Sequence, residues 1–322
     1  MHFMSASLIH EPKRIMKQSL SGRDLISISD LSKQEIEQIL DAAKNFQKKP
    51  HSDLLKGSIL ASCFFEPSTR TRLSFEAAMH RLGGSVIGFS ESHSTSAQKG
   101  ETLFDAMKII GSFSDILVIR HPSEGSARVA SEATDKPVIN AGDGANQHPT
   151  QTLLDLFTIR ECQSKIEDLQ IALAGDLKYS RTVHSLSLAL AHYPVRLYFI
   201  SPEALSLPEE ISMELRKKGV KFSFHSAIQE VLPKIDILYL TRIQKERFLD
   251  PQQAAKAMSH PCRVLKKDLE KVKPNFRLLS PLPRLDEMEK SIDDTPYAAY
   301  FQQAANGIPV RMALLSLLLG KL

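Results

Sequence analysis

Short apolar runs alternate with amphipathic stretches along most of this chain, and that rhythm limits the fold more than any other feature. Runs at 58–65, 85–89, 115–119 and 137–140 are each followed by a helical pattern, at 69–82, 101–112, 124–132 and 149–162. A second series follows, with strands at 169–174, 195–200, 220–224, 235–240 and 276–279. Its helical patterns lie at 181–192, 208–218 and 264–272, with a short helix at 226–231 and a closing helix over 309–320. Strands joined through helices pair in parallel, and their unbroken apolar runs call for cover on both faces. The predicted fold class is therefore α/β, with two doubly wound parallel-sheet domains, 1–149 and 150–322. A helix over 34–46 opens the first, with Ser32 and Glu35 as its capping box. Residues 1–22 lack periodicity and read as a loose extension.

At 322 residues the chain has room for two domains. Hydrophobic residues at 42% and charged residues at 24% exclude a disordered or fibrous class. A net charge of +4 is too weak and too dispersed for a nucleic-acid partner, and a small anion suits it better. Cys63, Cys162 and Cys262 are far apart and form no CxxC or Cys/His spacing. A disulfide framework and a metal site are both disfavoured, and a reducing, cytoplasmic setting is expected. The N-terminal twenty residues carry no secretory pattern, and the apolar run 312–319 is too short to span a bilayer. No cofactor motif is present: the P-loop and the full G-x-G-x-x-G are both missing.

Where chemistry concentrates is the turn after the first strand. Ser68, Thr69, Arg70, Thr71 and Arg72 follow Pro67 and open a helix. A helix start offers unpaired N–H groups and a favourable dipole. Arginine adds a forked, permanently charged donor matched to a phosphate face. Together these predict a phosphate site; the plainer alternative is a surface helix with Ser68 as N-cap. Five further clusters follow predicted strands, where ligands of such sheets bind. Ser94 to Glu101 is a hydroxyl-rich loop carrying Lys99, which has the reach to touch an anion across a cleft. Arg120 ends one strand. His148 precedes Pro149, a residue suited to a helix's first turn, and this aims His148 and Gln151 toward the helix start. Gly175-Asp176 leads to Arg181 at another helix start, suited to a carboxylate. Thr241-Arg242-Ile243-Gln244 faces Pro281-Leu282-Pro283-Arg284, whose prolines make a rigid turn able to point carbonyls at a ligand. This set is rich in Arg, His, Gln and hydroxyls and poor in carboxylates. It suits binding two anions and stabilising an oxyanion without a metal.

The motifs FFEPSTRTRLSFEAAMHRLGG, KGETL, RHPSEGSAR, GDGANQHPTQTLLDLFTI, GDLKYSRTVHSL, TRIQKERF, PLPRLDE and YFQQAANGIPVR stand in one order along residues 22–322. In them the chain resembles the catalytic chains of the aspartate carbamoyltransferase family. The resemblance implies that Ser68, Thr69, Arg70 and Thr71 bind the phosphate of carbamoyl phosphate. It implies that Thr71, Arg120 and His148 polarise the carbamoyl oxygen, and that Gln151 and the Leu282-Pro283 backbone hold the amine side. Arg181, Arg242 and Gln244 would hold the carboxylates of L-aspartate. Lys99 and a nearby hydroxyl, Ser96 or Thr95, would reach the site of a neighbouring subunit in a homotrimer. The segment 309–322 would return to the first domain. The resemblance leaves room for regulatory chains and assigns no general base. Ornithine carbamoyltransferases share the Ser-Thr-Arg-Thr and His-Pro-x-Gln features but carry a Cys before their Leu-Pro, where this chain has Ser280-Pro281. A non-catalytic carbamoyl-phosphate-binding relative is the third reading, opposed by the presence of His148, Lys99, Arg181 and Arg242.

Overall fold

A computed structural model describes residues 19–91, 95–244, 248 and 262–322. The first helix, α1, spans Lys33–Lys48, and its Ser32–Glu35 capping box is formed. Four strands then build one parallel sheet: β1 Ile59–Phe64, β2 Ser85–Phe89, β3 Ile116–His121 and β4 Val138–Asp143, ordered β2-β1-β3-β4. Their crossovers are α2 Thr69–Arg81, α3 Leu103–Ser112 and α4 Ser126–Ala133. Helix α5, Pro149–Gln163, leaves this sheet for the next. A second parallel sheet follows, ordered β7-β6-β5-β8-β9. It comprises β5 Gln170–Ala174, β6 Arg196–Ile200, β7 Lys221–His225, β8 Ile237–Leu240 and β9 Arg277–Leu279. Helices α6 Arg181–Leu190, α7 Glu209–Lys217, α8 Tyr300–Ala305 and α9 Gly307–Leu318 complete the described set.

The inner strands have the double cover they require, while the edge strands β2 and β7 stay partly exposed. Leu60 and Phe64 of β1 face one core while Ala61 and Cys63 face another. In β5, Ile171 and Leu173 enter the first of these cores and Ala172 and Ala174 a third. The shared core runs from Leu60 through Leu153 and Phe157 of α5 to Ile171, so α5 joins the two sheets through apolar packing. From Thr152 to Ile159 every residue of α5 is buried. Two of its polar side chains are satisfied there: Thr158 returns its hydroxyl to the Leu154 carbonyl, and Asp155 accepts from Gln151 one turn back and from Tyr239 and Gln303 elsewhere in the fold.

Helix α9 is apolar nearly all round, a pattern that demands burial on every side. It packs on α1 and α2, so the chain's end returns to the first sheet. The chain's start meets it there: Leu20 is buried and the Gly22 N–H donates to the Leu318 carbonyl at 2.8 Å. Of the expected extension, residues 1–18 lie outside the described residues, as does Ser94 of the hydroxyl loop.

Three local expectations are corrected. The short helix at 226–231 is a 3-10 turn, Ile228–Glu230, with Pro233 following closely. The helical pattern at 264–272 is likewise a 3-10 stretch, Lys266–Lys271, because Pro274 bars its preceding residue from helical backbone. The α8 helix went unseen, being a single short turn-and-a-half without apolar periodicity. Cys63, Cys162 and Cys262 are all unpaired. Among the described residues no helix is long and apolar enough to cross a membrane.

Candidate active site

The C-terminal ends of β1, β3 and β4 face those of β5, β8 and β9 across a cleft of about 370 Å³. From the first sheet it is lined by Ser68, Thr69, Arg70, Thr71, Arg120, His148 and Gln151. From the second come Arg181, Arg242, Gln244, Leu282 and Pro283. All twelve residues that the resemblance assigns to the chain's own site therefore meet in one place. Lys99 and Ser96 do not line it; both are exposed on a 3-10 turn, Ser96–Lys99, beside a separate apolar recess bounded by Phe89, Leu103 and Ile109.

Helix α2 begins after Pro67 with Ser68 as N-cap, yet the Ser68 hydroxyl makes no capping bond and the first turn holds no acid. The α2 start is thus electropositive and its hydroxyls are not spent on capping. Arg70 is exposed beside it, its pKa lowered by partial desolvation and then by the charge of Arg120. An anion placed there would offset the repulsion between the two cations.

His148 is delivered by a loop organised around one buried carboxylate. Asp143 accepts from Asn140 Nδ2 at 2.8 Å, the Gly125 N–H at 2.9 Å, Asn146 Nδ2 at 3.0 Å and the Gln147 N–H at 3.1 Å. Pro149 at the first helical position then places His148 at the mouth of α5. Its Nδ1 has no hydrogen-bond partner among the described residues. Burial depresses its pKa well below the ordinary value, and Arg181, Arg120 and Arg311 add to the effect. The ring is therefore a neutral imidazole at pH 7, able to donate one hydrogen bond without carrying charge.

The arginines are held by fixed oxygen acceptors. Arg120 Nε donates to Glu66 Oε1 at 2.7 Å, and Arg181 Nη2 lies 3.6 Å from the same oxygen. Arg181 Nη1 also donates to the Gly144 carbonyl at 2.5 Å, which bridges the two sheets. Gly142, at φ +121°, makes room for this: a Cβ there would lie 2.8 Å from Arg181 Nη2. On the far wall, Gly175 at φ +108° lets β5 and β8 end in contact, since a Cβ would lie 2.1 Å from the Thr241 carbonyl. Buried Asp176, its pKa raised by burial, accepts the Tyr179 N–H at 2.9 Å and the Gln244 N–H at 3.1 Å. Those bonds set the loop carrying Arg242 and Gln244. The Leu282-Pro283 peptide is cis.

Sequence reading missed Glu66, Asp155, Gln303 and Arg311. Arg311 is fully buried on α9, 4.8 Å over the Phe75 ring, and burial lowers its pKa to about 9, so it remains cationic. Asp155 is also fully buried, and burial raises its pKa to about 7, against hydrogen bonds from Gln303, Gln151 and Tyr239 and the charge of Arg311. The signal available for Glu66 was its place beside Pro67 in the turn that opens α2. Asp155 and Arg311 lie in helices whose pattern reads only as core, and Gln303 lies in α8, too short for a pattern to register. Among the described residues no group of three or more His, Cys, Asp or Glu could hold a metal ion.

Comparison with known proteins is consistent along the whole described chain. Residues 23–161 match the family model described as aspartate/ornithine carbamoyltransferase, carbamoyl-P binding domain, and residues 167–318 match its Asp/Orn binding domain. The aspartate carbamoyltransferase catalytic subunit of Thermococcus onnurineus is 55% identical over 308 residues, covering 94% of this chain and 98% of that one. A Trypanosoma cruzi aspartate transcarbamoylase solved with carbamoyl phosphate and aspartate is similar with a TM-score of 0.88 at 38% identity. That match covers 93% of this chain and 98% of that one. The catalytic subunit of M. jannaschii aspartate transcarbamoylase is similar at 49% identity and a TM-score of 0.84, covering 91% and 96%.

Proposed function

The chain belongs to the aspartate/ornithine carbamoyltransferase family, and from that premise we propose how its cleft works. It transfers the carbamoyl group of carbamoyl phosphate to the α-amine of L-aspartate, giving N-carbamoyl-L-aspartate and phosphate, an early step toward pyrimidines. The observation that carries the reading is the meeting of two cation sets in one cleft, one on each sheet.

In this reading the α2 start and Arg70 hold the phosphate through Ser68, Thr69, Arg70 and Thr71. Thr71, Arg120 and neutral His148 donate to the carbamoyl oxygen, where negative charge develops in the transition state. Gln151 and the Leu282-Pro283 backbone hold the amine end. Arg181, Arg242 and Gln244 hold the two aspartate carboxylates, which sets the α-amine against the carbamoyl carbon. The amine nitrogen bonds to that carbon, the carbon–phosphate oxygen bond breaks, and the departing phosphate accepts the amine proton. No side chain is assigned as general base.

The domain division follows the sheets, 1–149 for carbamoyl phosphate and 150–322 for aspartate, with 309–322 returning to the first. Ser96 and Lys99 belong to a neighbouring subunit's site, in a homotrimer. Exposed Phe104, Ile109 and Phe113 on or beside α3, next to the Ser96–Lys99 turn, support an assembly face there. The unpaired cysteines fit a reducing, cytoplasmic setting.

The test is to incubate the purified chain with carbamoyl phosphate and either L-aspartate or L-ornithine, following the ureido product. Product with aspartate alone is expected. Product with ornithine alone would overturn the assignment of Arg181 and Arg242, and product with neither would favour a binding-only relative.

A further inference from the structure

We propose that Asp155 is a positioning residue that turns the amine-facing wall of the cleft into a purely hydrogen-bond-accepting surface. This rests on the assignment of Gln151 and the Leu282-Pro283 turn to the carbamoyl amine. Asp155 lies one helical turn after Gln151 on α5 and is fully buried. Its Oδ1 accepts from Gln151 Nε2 at 2.8 Å and from Gln303 Nε2 at 2.6 Å, and its Oδ2 accepts from the Tyr239 hydroxyl at 2.9 Å. Both amide nitrogens share Oδ1, which accepts whether or not Oδ2 carries a proton, so the Gln151 amide is forced to turn its nitrogen inward to Asp155. Its oxygen is then the end left for the cleft.

The opposite wall is governed through Gln303. With its nitrogen on Asp155, its Oε1 accepts the Ser280 N–H at 2.8 Å. The Leu282 N–H is taken by Ser280 Oγ at 3.3 Å. Pro281 and Pro283 have no N–H to offer. The turn therefore presents carbonyl oxygens and no backbone donors between Ser280 and Pro283. One carboxylate thus sets the polarity of two walls that come from α5 and from the loop after β9. A carbamoyl group, with two amine hydrogens, satisfies both walls. An acetyl group of the same shape offers only a methyl and leaves those acceptors unpaired. Asp155 would therefore act on the choice between carbamoyl and acetyl phosphate without touching either.

The experiment uses the full-length chain, measuring KM and kcat for carbamoyl phosphate at saturating L-aspartate and the inhibition constant of acetyl phosphate as competitor. Asp155→Ala frees both glutamines; its KM for carbamoyl phosphate should rise about tenfold or more while the acetyl phosphate constant moves less than about threefold. Asp155→Asn keeps one oxygen for both glutamine amides and should restore carbamoyl phosphate KM to within about threefold of wild type. Equal loss for both ligands, or no loss, in a folded Asp155→Ala chain would overturn the proposal. If Asp155→Ala does not fold, Gln303→Met decides: it releases the Ser280 N–H, and an unchanged carbamoyl-to-acetyl preference would be equally fatal. A wild-type chain inactive toward aspartate would instead sink the parent reading, a result distinct from an active wild type with indifferent variants.

Discussion

His148 stays uncharged because burial opposes its proton and Arg181, Arg120 and Arg311 add to that opposition. Two consequences follow at the scale of this residue. As an oxyanion donor its loss should be felt in turnover, so His148→Ala should lower kcat by about a hundredfold; near-normal turnover would remove it from that role. Its depressed pKa also links stability to pH. The unfolded chain binds a proton to this ring near 6.5 while the folded chain does not, so stability present above that pH is lost as pH falls through it. Wild type should lose up to about 1.4 kcal/mol per pH unit below 6.5 relative to His148→Gln. Urea midpoints at pH 7.5 and 5.5 measure this, and parallel slopes would refute it. Arg181 makes a different point: its fork spans Glu66 and the Gly144 carbonyl, a geometry an ammonium cannot copy. Arg181→Lys should raise the KM for aspartate about tenfold or more with little change in carbamoyl phosphate KM. Equal effects on both substrates would reassign the residue.

The elements matter through where they stop. β5 and β8 end side by side because Gly175 has no Cβ, and the chain leaves them for Arg181 and for Arg242. Gly175→Ala forces a side chain into a backbone carbonyl at a φ that L residues avoid. It should cost about 2 kcal/mol or more and weaken aspartate binding with it; a variant as stable as wild type would show the strand ends can part freely. That strand ends carry the site was legible in the residues themselves. Pro67 and Ser68 marked the start of α2, and Pro149 marked that of α5, since proline's fixed φ suits a turn or a first helical position and serine favours the N-cap. What was hidden is what depends on contact across distance. α5 reads as core from its apolar positions, and nothing in its own pattern says that Asp155 is met by Gln303 from α8 or by Tyr239 from β8. The α8 helix is too short for periodicity to register, and the two 3-10 stretches carry helical spacing that nearby prolines cut short.

For the whole molecule the unresolved demand is the pair Ser96 and Lys99, which lie away from the cleft of their own chain. If they complete a neighbour's site around a threefold ring, then two crippled chains can repair one another. His148→Ala and Lys99→Ala damage the same site from different subunits. A site is intact only where a Lys99→Ala chain supplies His148 and its neighbour, a His148→Ala chain, supplies Lys99. In a ring of three, any mixed trimer has one such junction. After equal mixing, dissociation and reassembly, about three quarters of trimers are mixed, and one site in three of each is restored. About a quarter of wild-type activity should return from two nearly inactive parents. If Lys99 serves its own chain's cleft, each mutant chain stays inactive in any company and mixing recovers nothing. Activity assays before and after reassembly, with size measured alongside, therefore separate a shared site from a self-contained one.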